Sequence, residues 1–194
     1  MNNDRLLVIA PRESEQAENP RLARVLAASL DGLATERLTT AAEAEAWLSA
    51  HPVAAGERFA RVLFVVDLDS DGVNLEYSRL LRVLRAQPHL LEAGSAASSS
   101  MPKRAYTKST AQELVLAANM SGCAFVGRSL VEVPEVCAIS PSPPHKLGTD
   151  DLMLAYIDSA CALVRAIMAF EGYRRAMPKL TVLHASNHKT SNTF

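Results

Sequence analysis

Apolar residues fall in short blocks along the chain, and the blocks alternate between two periods. RLLVIAP, residues 5–11, is a continuous apolar run stopped by proline. That is the pattern of a strand buried on both faces of a parallel sheet. NPRLARVLAASLDG follows, with Leu22, Val25, Leu26 and Leu30 on one helical face. Asn19 is its predicted cap, Pro20 its first residue and Gly32 its stop. TERLTT predicts a second strand. TAAEAEAWLSAHP predicts a second helix, with Thr40 and Glu43 at capping-box spacing. The strongest strand signal runs from Val62 to Asp67. VNLEYSRLLRVLRAQP then predicts a helix that turns Leu75, Leu80, Leu81 and Leu84 inward.

The second half continues with a predicted helix from about Ser109 to Met120, closed by Gly122, and a short strand in CAFVG. A long amphipathic helix follows, capped by Thr149 or Asp150. Pro178 breaks the chain, and KLTVLHA begins another strand. This order predicts an α/β fold: a Rossmann-like parallel sheet with helices on both faces and right-handed crossovers. Two stretches rich in Ser and Pro, 93–105 and 133–146, have no usable period and read as surface loops. The topology nevertheless wants a strand near the first.

The 194 residues suit one soluble domain, or one domain plus part of another. A net charge of -1, scattered Lys and Arg, and 5% aromatic residues argue against a nucleic-acid or anionic-membrane partner. Cys123, Cys137 and Cys161 form no C-x-x-C, so a reducing compartment is expected. The apolar run Leu6 to Ala10 is too short for a signal peptide, which makes the cytoplasm the expected location. Asp67, Asp69, Asp71 and Gly72 match the start of a calcium loop, but Ser78 stands where its bidentate Glu is required. Acids at the carboxyl end of a strand, beside a helix N-terminus, are the better account; Asp67 and Asp69 keep a weak claim as ligand-edge residues. The histidines show no metal spacing, and no catalytic residue is singled out.

TVLHASNHKTSNTF, residues 181–194, is different. A predicted strand from Leu180 to His184 leads into a loop of hydroxyl and amide side chains, with Lys189 adding positive charge. Such a loop is suited to an anion. These residues resemble the first strand and phosphate loop of the NADPH-dependent FMN reductase branch of flavodoxin-like proteins, whose pattern is roughly G-S-x-R-x-x-S-N-T. Ser186 matches the first Ser, and Ser191, Asn192 and Thr193 match the final trio; His188 stands at the Arg, and Ala185 at the Gly. The stretch from Val62 to Arg85, YTKSTAQELVLAANMSGCAFVGRSLVE and the long helix are similar to an N-terminal extension in longer bacterial members of that group.

The resemblance implies residues 1–177 as an N-terminal Rossmann-like domain and 178–194 as the incomplete start of a flavodoxin-like FMN-binding domain. It implies FMN as cofactor and NAD(P)H as electron donor, with hydride transfer to bound FMN in the intact protein. Ser186, His188, Lys189, Ser191, Asn192 and Thr193 would clasp the FMN phosphate. The chain by itself would then bind FMN weakly and be inactive. Read one frame over with GC-rich codons, residues 96–103 become Gly-Val-Val-Val-Asp-Ala-Glu, a strand and an acidic turn. The expectation is that both irregular stretches are frame-shifted translations. An alternative from another class is a non-catalytic α/β docking module, dimerising through the long helix.

Overall fold

The computed structural model describes residues 5–13, 18–51, 61–68, 73–88, 90–91, 95–101, 107–132 and 151–170. Strands and helices alternate strictly: β1 (Arg5–Ile9), α1 (Pro20–Ser29), β2 (Ala34–Leu38), α2 (Ala41–Ala50), β3 (Arg61–Asp67), α3 (Leu75–Ala86), β4 (Ser95–Met101), α4 (Thr107–Met120), β5 (Ala124–Glu132) and α5 (Leu152–Ala169). All pairings are parallel, and the sheet order is β2-β1-β3-β4-β5. The predicted α/β class and doubly wound arrangement are therefore found.

Alternation along each strand divides the core in two. Leu7, Ile9, Val62, Phe64 and Val66 meet α2, α3 and α4 on one face. Leu6, Val8, Leu63 and Val65 meet α1 and α5 on the other. β3 is buried at all seven positions, as a middle strand covered on both faces must be. At its start, buried Arg61 donates from Nε to the carbonyl of Ile167 at 3.1 Å. A cation thus meets the carboxyl end of α5, where the helix dipole favours it.

Local chemistry sets the helix starts. Asn19 accepts from the Arg21 N–H and Pro20 is the first residue of α1. Gly32, two residues past the cap Leu30, adopts φ +73°, a conformation that favours glycine. At α2 the capping box is complete: Thr40 accepts from the Glu43 N–H, and Glu43 accepts from the N–H of Thr40.

Three expectations need correction. The stretch 93–105 is not simply a loop, because 95–101 forms β4 in full register with β3. Backbone pairing on both sides outweighs the weak strand preference of Ser and Ala. Leu75 does not turn inward; it is 51% exposed, while Leu80, Leu81 and Leu84 are buried. It is the first residue of α3. The long helix is capped by Asp151, whose carboxylate accepts from the N–H groups of Met153 and Leu154, rather than by Thr149 or Asp150. The other irregular stretch, 133–146, lies outside the described residues, as do Asp69, Asp71 and Gly72 of the calcium-like loop.

Candidate functional site at the switch point

In an open parallel sheet the chain leaves adjacent strands toward opposite faces at one place, and the crevice beyond their carboxyl ends is where ligands bind. Here that place is between β1 and β3. β1 continues into α1 on one face, and β3 into α3 on the other.

The described residues show what fills this crevice. Asn74, 3% exposed, caps α3 by accepting from the Tyr77 N–H at 2.7 Å. Its amide also donates to the carbonyls of Pro11, at 2.9 Å, and Asp67, at 2.7 Å. One side chain therefore spans from the exit of β1 to the end of β3. Beside it, Glu13 accepts from the Leu75 N–H, the first of α3, at 3.2 Å. Ala10 and Arg12 donate backbone bonds to Leu38 and Thr39, zipping the β1 exit to the β2 exit.

The neighbouring helix starts are occupied in the same way. Buried Glu76 accepts from the Ala41 N–H, the first of α2, at 2.9 Å and is paired with Arg79. That backbone bond, then the Arg79 guanidinium, holds the Glu76 carboxyl below its ordinary range. Glu43 is likewise lowered, by the bond from the Thr39 N–H above all. Glu18 pairs with Arg37 at 2.7 Å, and this contact lowers its pKa. At α1, Pro20 offers no N–H and the Arg21 N–H is bound to Asn19.

These groups do not fit a flavin phosphate. A phosphate needs open N–H donors and positive charge. The N–H groups of Arg21, Ala41, Glu43, Leu75 and Tyr77 are bound to the chain's own side-chain oxygens, and Glu13 and Glu18 flank the β1–α1 connection. In sequence that connection, PRESEQAEN, has no Gly, one Ser and one cation, Arg12. Among the described residues no cluster of His, Cys, Asp or Glu is arranged for a metal, and no helix is long and apolar enough to cross a membrane. Asp67 is buried at the end of β3.

Asn74, Glu13 and Glu76 were not singled out in the sequence. The Asn before an apolar helix could have been read as a cap, but its reach to Pro11 depends on the sheet order. The motif residues Ser186, His188, Lys189, Ser191, Asn192 and Thr193 lie outside the described residues.

A five-stranded parallel sheet in the order 2-1-3-4-5, with two helices on one face and three on the other, defines the flavodoxin-like fold. Solved structures agree. Oxidised flavodoxin 2 from Bacillus cereus matches with a TM-score of 0.52 at 13% identity, covering 83% of this chain and 98% of that one. An NADH:FMN oxidoreductase in its apo form gives 0.52 at 14% identity, covering 83% and 88%. RosB, solved with 8-demethyl-8-formylriboflavin-5'-phosphate, gives 0.53 at 9% identity and covers 98% of both chains. No protein-family model and no curated protein matches the chain.

Proposed function

We propose that the protein belongs to a flavin-dependent oxidoreductase that passes hydride from NAD(P)H to FMN. In this reading residues 1–177 are the N-terminal Rossmann-like unit, whose described residues carry the five-stranded sheet, and 178–194 begin the segment that holds FMN. The single observation that carries this is the sheet order 2-1-3-4-5, an order shared with flavin proteins. The tail motif supplies, in sequence, the donors that the described crevice lacks. Ser186, Ser191 and Thr193 offer hydroxyls, Asn192 an amide, and His188 and Lys189 the remaining donors. When bound, FMN brings the hydride-accepting chemistry; these side chains bind and orient its phosphate.

The experiment is a titration of FMN and of riboflavin, read by quenching of flavin fluorescence. FMN binds weakly but more tightly than riboflavin, because only FMN carries the phosphate. Lys189→Ala lowers FMN affinity by roughly tenfold, the value of one charge-assisted hydrogen bond, and leaves riboflavin unchanged. Equal affinity for the two flavins refutes the proposal.

The filled crevice favours a second reading for the unit itself, that of a non-catalytic docking or dimerising module. Sedimentation with and without FMN separates the two, since a dimer indifferent to flavin belongs to the second.

A further inference from the structure

We infer that the switch-point crevice of the unit 5–170 is closed by the chain's own side chains and takes no flavin phosphate. The fold is that of flavin-binding proteins, but the place where such a fold receives its ligand is internally occupied. The inference stands apart from the FMN proposal. It concerns where a flavin cannot sit, whether or not one sits elsewhere.

Three observations combine. Asn74 bridges the carbonyls of Pro11 and Asp67 and at the same time caps α3, so its amide and its oxygen are both committed. Glu13, from the β1–α1 connection, occupies the first N–H of α3 with a carboxylate. Glu76 and Glu43 do the same for α2 and the residues just before it. An incoming phosphate would have to displace carboxylates from these N–H groups and would then face their charge. The chain thus carries its own anions where a ligand's would go. These bonds also tie β1, β3, α2 and α3 together, so the closed crevice serves as a joint.

The test uses the full chain and four proteins: wild type, Arg12→Ala, Glu13→Ala and Lys189→Ala. FMN affinity is measured by fluorescence quenching, and folding is checked by circular dichroism and melting temperature. If the crevice is closed, Arg12→Ala and Glu13→Ala hold FMN affinity within about twofold of wild type. Weakening of about fivefold or more in Arg12→Ala, or tightening of that size in Glu13→Ala, with folding intact, overturns the inference. That result would leave the flavoprotein proposal standing and move its site. Loss confined to Lys189→Ala supports both. If no protein binds FMN at all, the proposal fails and the closed crevice is upheld. Should Glu13→Ala not fold, Arg12→Ala decides alone, because Arg12 is the one cation of the connection.

Discussion

Replacing Asn74 by alanine removes three hydrogen bonds at once. The Tyr77 N–H loses its cap acceptor, and the carbonyls of Pro11 and Asp67 lose a donor. Loss of an N-cap costs about 1 kcal/mol. Each neutral buried bond contributes about 1 kcal/mol net. The expected loss is therefore about 3 kcal/mol, a large share of an ordinary domain's margin. For a chain of this length it lowers the melting temperature by roughly 6–12 °C. Urea unfolding followed by circular dichroism reads the same quantity as a lower midpoint at an unchanged slope. Asn74→Asp separates the two roles. It keeps an acceptor for Tyr77 but turns an oxygen toward two carbonyls, so it retains the cap and loses the bridge. If Asn74→Ala costs less than about 1 kcal/mol, comparable to a simple surface cap, the bridge contributes nothing and the argument for a built crevice fails. If Asn74→Asp is as stable as wild type, the bonds to Pro11 and Asp67 are not what holds the β1 exit.

Two further outcomes follow from the geometry. The carboxyls of Glu18, Glu43 and Glu76 all titrate below the ordinary value of 4.5 in the folded protein. A depressed folded pKa gives stability that is present above the unfolded value and lost as pH falls through the folded one. The melting temperature should therefore drop on acidification below about pH 4.5. It should drop less steeply in Glu76→Gln; identical acid limbs for the two proteins would refute the assignment. β4 pairs Ser98, Ser99 and Ser100 with Phe64, Val65 and Val66 on one side and with Leu130, Val131 and Glu132 on the other. Changing all three serines to valine should add about 1–3 kcal/mol, since strand preference spans roughly 1 kcal/mol per residue. A melting temperature that is unchanged or lower would refute that.

What could be read from the sequence was local. Asn19, Pro20, Thr40 and Glu43 declare their helix starts because each cap is completed within three residues. The buried run of β3 was legible because a strand covered on both faces shows no alternation. β4 was legible only as the strand that the topology wants near 93–105, because SAASSSM has little strand preference of its own and is ordered by neighbours brought from residues 61–67 and 124–132. A helical period alone sets Leu75 with Leu80, Leu81 and Leu84, but it cannot say that the first residue of the helix stands clear of the core. The crevice was invisible for a related reason. Asn74 and Pro11 are 63 positions apart, and only the crossover that sets β1 beside β3 makes them partners.

The bond from Arg61 to the carbonyl of Ile167 fixes a point of departure. It pins the last turn of α5 to the entry of the middle strand, at the pole of the unit opposite Asn74. The two poles are about 20 Å apart, the span of a seven-residue strand. Whatever succeeds Phe170 sets out from that anchored pole.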